Sequence, residues 1–93
     1  MIVGVLTLDL VIYEAMSLKD KRRVVKGLKD RISHRFNVSV AEVDRQDARQ
    51  RAVIGVAMVS NAADHIHGAF DRIIELVNRE TRASLVDSDR EML

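Results

Sequence analysis

The chain has 93 residues, 47% of them hydrophobic and 31% charged, and a net charge of +1. That is room for one domain with a modest core, too little for a deep enclosed active site, and too apolar for disorder. It contains no cysteine, proline or tryptophan, which excludes disulfides, thiolate metal sites, cysteine nucleophiles and cis-proline turns.

Met1 to Tyr13 reads as a strand rich in Val, Ile and Leu. Ile2, Gly4, Leu6, Leu8, Leu10 and Ile12 alternate with Val3, Val5, Thr7, Asp9 and Val11. Both sets are apolar near the start, as expected for a central strand. Asp9 and Glu14 interrupt the run, which lacks a basic start and a cleavage site. No segment is long enough to cross a bilayer, so a cytoplasmic location without membrane contact is expected.

Ser17 is a suitable N-cap, with Asp20 at the third helical position. The spacing predicts a helix to about Phe36, with a core stripe of Leu18, Val24, Val25, Leu28, Ile32 and Phe36. Gly27 lies off that stripe. Residues 17–36 carry eight basic side chains against two acidic ones, a local balance of +6. Residues 1–16 sum to −2 and residues 37–93 to −3. The positive field is therefore local, as surface recognition requires.

Asn37 is expected to end the helix, and Val38–Val43 forms a second strand. Asp44–Gln50 reads as a polar hairpin connection, and Arg51–Ser60 as a third strand apolar on both faces. Asn61 is expected to cap a second helix, with Asp64 at its third position and Ile66, Phe70, Ile73 and Val77 as its stripe, widened by Ala69 and Ile74. Arg79–Ala83 reads as a turn and Ser84–Leu93 as a final strand, whose charges suit a sheet edge.

The order βαββαβ over residues 1–93 is that of a single α+β domain, a ferredoxin-like sandwich. Right-handed crossovers give an antiparallel sheet ordered 4-1-3-2 with two helices on one face. The two most apolar strands then lie in the middle, so local pattern and topology agree.

This topology gathers the first helix's N-terminus, the hairpin and the turn after the second helix at one end. Lys19, Lys21, Arg22, Arg23 and Lys26 come from the helix, with Lys29 further along its flank. Arg45, Gln46, Arg49, Gln50 and Arg51 come from the hairpin, and Arg79 and Arg82 from the turn. The first ten of these, without Lys29, are the candidate phosphate- or RNA-binding set, assisted by the helix N-terminus. The plain alternative is solvated surface, with Asp44, Asp47 and Glu80 neutralising part of that end through weak ion pairs.

The open sheet face offers no aromatic on the third strand and only Tyr13 on the first, so base stacking there is not expected. Its aliphatic character points to packing against a second copy. His65 and His67 stand two apart on a helix and do not share a face. Asp44 and Asp47 suit turn chemistry, and the four glycines match no phosphate-binding loop. No catalytic constellation, metal site or cofactor is expected.

Ser17-Leu18-Lys19-Asp20-Lys21-Arg22-Arg23-Val24-Val25-Lys26-Gly27-Leu28-Lys29-Asp30-Arg31 resembles the helix of the small bacterial YlxP-like family. Arg35-Phe36-Asn37-Val38-Ser39-Val40-Ala41-Glu42-Val43-Asp44, Gln46-Asp47 and Gln50-Arg51-Ala52-Val53-Ile54-Gly55-Val56-Ala57 extend the likeness over nearly the whole chain, more weakly after about Val77. The resemblance implies the same ferredoxin-like fold. It also implies work on RNA or the ribosome, because members are often encoded near translation-initiation and ribosome-maturation factors. Members commonly carry an aromatic between the Asp and Gln of the hairpin. Ala48-Arg49 stands there instead, and Arg49 can also stack.

Three readings stay open. One is a binding module docking on structured RNA or ribosomal particles through the basic end. The second is a homodimeric assembly protein without nucleic acid. The third is a small-ligand or catalytic role for Asp44 or Asp47.

Overall fold

The computed structural model describes residues 1–93. The elements are β1 (Ile2–Ile12), α1 (Leu18–Arg35), β2 (Ser39–Asp44), β3 (Arg51–Ser60), α2 (Ala63–Asn78) and β4 (Ala83–Met92). They form the expected ferredoxin-like sandwich, with one antiparallel sheet ordered β2-β3-β1-β4. The first and third strands are central, as their two-sided apolar pattern requires.

The period of two decides what is buried. Leu6, Leu8, Leu10 and Ile12 of β1 and Ala52, Ile54, Val56 and Met58 of β3 turn toward the helices and are buried. From above them come Val24, Val25, Leu28 and Ile32 of α1, and Ile66, Ala69, Phe70, Ile73, Leu76 and Val77 of α2. Leu18 and Phe36, expected in the α1 stripe, are only half-buried at its two ends. Gly4 has a packing reason: a Cβ there would land on Ile66 Cγ2 and lie 3.2 Å from the Phe70 ring.

α1 starts as expected. Ser17 Oγ accepts the Asp20 N–H at 3.1 Å, while the Asp20 carboxylate accepts the Met16 N–H at 3.2 Å. The Ser17 bond satisfies one end amide of the helix, and the Asp20 bond holds the residue before the cap. The helix stops at Arg35, with Phe36 rather than Asn37 in the C-cap position. α2 corrects the expected cap. Its N-cap is Ala62, without a side-chain bond, so Asn61 lies outside the helix and Asp64 one position earlier than expected. Ser60 Oγ instead accepts the Ala62 N–H at 3.2 Å.

Two register shifts bend the sheet, one in β2 between Glu42 and Asp44 and one in β4 opposite Asp9 and Leu10. At the end away from the hairpin, Val3 and Leu93 exchange both backbone bonds, at 3.3 and 2.8 Å. No helix is long and apolar enough to cross a membrane.

Candidate functional site

The hairpin between β2 and β3 is built around Arg45, which adopts a left-handed conformation at φ 60°. That backbone is unusual for a residue with a side chain. Three contacts hold it. Asp44 Oδ1 accepts the Arg45 N–H at 2.8 Å, and the Arg45 carbonyl accepts the Ala48 N–H at 3.0 Å and Lys21 Nζ at 2.7 Å. Asp44 is thus a turn residue.

Lys21 is the main correction to the sequence expectation. Its side chain is 0% exposed. Besides the Arg45 carbonyl, its ammonium donates to the Gln46 carbonyl at 3.3 Å and sits 2.6 Å from Glu42 Oε2. That last contact is an ion pair without hydrogen-bond geometry, and Oε2 has no other donor. The three oxygens around this ammonium are all the protein's own. Lys21 is therefore a tether between α1 and the hairpin and is not available to a phosphate. The signal was in the sequence: Leu18, Lys21, Val25, Leu28 and Ile32 step by three and four residues, so Lys21 occupies a stripe position.

Other members of the predicted set separate in the same way. Arg51 stands on the open sheet face, opposite the helices, where it pairs with Asp9 at 2.9 Å. Gln50 Nε2 donates to the Tyr13 carbonyl at 3.2 Å, and Arg49 Nη1 to the Met16 carbonyl at 3.2 Å. Both side chains thereby hold the β1–α1 loop against the hairpin, although both residues remain exposed. Gln46 is exposed, with Nε2 3.5 Å from the Glu42 carbonyl. At the helix N-terminus Ser17 takes the Asp20 amide, and the Asp20 carboxylate puts a negative charge in the first turn, against a bound anion. A shallow pocket beside it mixes Glu14 and Asp20 with Arg23 and Arg82.

What stays together is the exposed flank of α1. Lys19, Arg22, Arg23 and Lys26 are exposed and Lys29 is half-exposed. Lys19, Arg22, Arg23 and Lys29 have no acidic partner; Lys26 pairs with Asp30 at 2.8 Å. The Lys26–Asp30 hydrogen bond raises the lysine pKa and lowers the aspartate's. Arg45 and Arg49 add cations at the hairpin end. From Lys19 to Lys29 the flank is about 15 Å long at a helical rise of ~1.5 Å per residue.

A second charge, expected only in weak surface ion pairs, is buried. Glu80, 7% exposed, accepts from Arg82 Nε at 2.9 Å, from the Arg82 backbone N–H at 3.0 Å, and from Arg31. Arg82 in first place, with Arg31 assisting, holds its carboxyl at about 2. Glu80 pins the α2–β4 turn to α1. Arg82 is two residues away, whereas Arg31 is remote in sequence, so the local pattern announces only half of the contact.

The open face divides in two. Val5, Ala41, Val43, Gly55 and Ala57 line an apolar hollow over β2, β3 and β1. Asp9, Asp87 and Asp89 gather with Thr7 and Ser88 along β4. No group of three or more His, Asp or Glu side chains could hold a metal ion. His67 contacts Arg90 at 3.0 Å and is accounted for by that contact.

Residues 3–90 match the family described as "Protein of unknown function (DUF503)". The chain is 34% identical to "Uncharacterized protein YlxP" of Bacillus subtilis (strain 168), over 82% of this chain and 83% of that protein. In structure it is similar to the "De novo designed protein Foldit4", with a TM-score of 0.57 at 14% identity, covering 100% of this chain and 97% of that one. The last likeness bears on the fold alone.

Proposed function

The chain belongs to the DUF503 family, and we propose that within it this protein is a binding module that docks on structured RNA or a ribonucleoprotein particle through the exposed flank of α1. One observation carries the reading: Lys19, Arg22, Arg23 and Lys29 share the exposed side of one helix and have no acidic partner. A solvated, stabilising helix surface would instead pair its charges at four-residue steps, as only Lys26 does with Asp30. Arg45 and Arg49 extend the cationic track to the hairpin, which Lys21 holds in a fixed position relative to the helix.

The acidic column on β4 and the lack of aromatics within β1 and β3 leave the sheet face unsuited to a polyanion. The contact is therefore one of phosphates and shape rather than stacked bases. A track of about 15 Å reaches roughly three phosphates, so log K should fall with log salt at a slope of about −2 to −3. Filter binding to ribosomal RNA fragments across a salt series tests this. Arg22→Glu with Arg49→Glu should lower the affinity and flatten the slope by about one or two. A slope near zero, or a double variant that binds as the parent does, refutes the reading.

A second reading rests on the open face, where Val43 in the apolar hollow and Val59 further along β3 are 53% and 59% exposed. In it the open face covers a second copy and no nucleic acid is bound. Light scattering together with the same filter assay separates the two.

A further inference from the structure

The two edges of the sheet are unlike. β4 carries Asp87, Asp89 and Glu91 beside its outer rim, charges that oppose the addition of another strand. β2, the other edge, carries two charges, Glu42 and Asp44. Glu42 turns to the helix layer and is neutralised by Lys21, and Asp44 lies past the register shift, at the hairpin. Between Ser39 and Glu42 the edge pairs with β3 without interruption and lacks Lys and Pro, and Ser39, Val40 and Ala41 are small or β-branched. The apolar hollow of the open face runs out to this edge through Ser39, Ala41 and Val43.

From this asymmetry we infer that β2 pairs antiparallel with β2 of a second copy, joining two four-stranded sheets into one of eight. A two-fold axis makes the partner identical. Opposed residues must share a face, so the two numbers in each pair sum to an even value. With Glu42 opposite Glu42 the like charges oppose each other. With Ala41 on the axis, Ser39 meets Val43 at the register shift. With Val40 on the axis, Val40 meets Val40 and Ser39 meets Ala41 ahead of the register shift, while Glu42 faces Val38, one residue before the strand. That register puts β-branched side chains together and no like charges opposite one another. The occupant is thus a second copy, centred on Val40. The contact is short, so the association is weak, with half-assembly at about 10–100 μM, the low end of specific interfaces.

The chain has no cysteine, so a single introduced thiol reports its own neighbours. Val40→Cys, oxidised without nucleic acid, should give a covalent dimer, since residues opposite each other across an antiparallel pair have Cα atoms about 5 Å apart. Asp89→Cys on the other edge should stay monomeric. In sedimentation experiments at rising concentration the parent should dimerise. Ala41→Lys, an exposed change that copies the charged character of β4, should remain folded by circular dichroism and lose at least tenfold in association. A parent that is monomeric at all concentrations overturns the proposal and leaves the edge to a foreign strand. Linking at Ala41→Cys but not at Val40→Cys overturns the register. A dimer that survives Ala41→Lys but is lost with Val59→Lys is a face-to-face assembly and overturns it as well. Every measurement is made without RNA, so this inference and the RNA reading fail separately.

Discussion

Replacing Lys21 with methionine isolates the tether between α1 and the hairpin. The change keeps the length and apolar stem of a side chain that is 0% exposed, and deletes an ammonium with three partners. Glu42, 14% exposed at its side chain, is left without its cation. Removing one partner of a buried pair costs about 3–5 kcal/mol. The Arg45 and Gln46 carbonyls belong to exposed residues and can turn to water, which sets the cost near the lower end, about 3 kcal/mol. For a chain of this size each kcal/mol moves Tm by about 4–8 °C, so thermal unfolding should fall by roughly 12–24 °C. Removing both charges, Lys21→Met with Glu42→Leu, should recover most of the loss, because a buried pair replaced whole by apolar groups is often near neutral. Scanning calorimetry of the parent, both single variants and the double variant closes the cycle. A drop below about 4 °C for Lys21→Met, or a double variant less stable than that single one, refutes the tether. The same variant, folded, should keep the parent's salt slope for RNA, because its ammonium never reached the surface.

Three further outcomes follow from other contacts. Glu80 has a folded pKa of about 2 against an ordinary 4.5, so its stabilisation is present above pH 4.5 and is lost as pH falls toward 2. The stability gap between the parent and Glu80→Gln should therefore be at most about 3 kcal/mol near pH 7 and shrink between pH 5 and 2 in urea titrations; a gap independent of pH contradicts this. Gly4→Ala should destabilise by about 1–3 kcal/mol by driving a methyl into Ile66 and Phe70, and should cost less in an Ile66→Ala background, which lacks the Cγ2 methyl, in the same titrations. Ser17→Ala removes the acceptor of the Asp20 N–H and should cost about 1 kcal/mol, read as a Tm shift without change in RNA affinity.

The fold was legible because the two periods are clean. Alternation on β1 and β3 marked central strands, the α1 stripe named four buried residues, and the strand order followed from handedness. The expected N-cap at Asn61 failed because side-chain capping is one means among several of satisfying a helix start; at α2 Ser60 bonds the Ala62 amide from outside the helix. The candidate site was legible as a region and misread in detail. Charge alone assigned Lys21 and Arg51 to the surface cluster. Yet Lys21 lies on the apolar stripe and Arg51 on the sheet face away from the helix, each with its own carboxylate. Position on the element's face, rather than residue type, decides which cations reach solvent. Glu80 was expected among weak surface ion pairs, and only half of what holds it is local: Arg82 lies two residues along the same turn, while Arg31 reaches it from α1.

The paired chain ends have a practical consequence. Val3 and Leu93 are bonded neighbours at the pole opposite the hairpin, on a body whose longest extent is 42 Å. A fluorophore, an affinity handle or a surface linker attached at either end therefore projects away from the cationic track and leaves it clear. Because the two ends lie side by side, a few glycines could close the chain into a ring. Such a ring would resist exopeptidases and fraying while leaving the hairpin pole untouched.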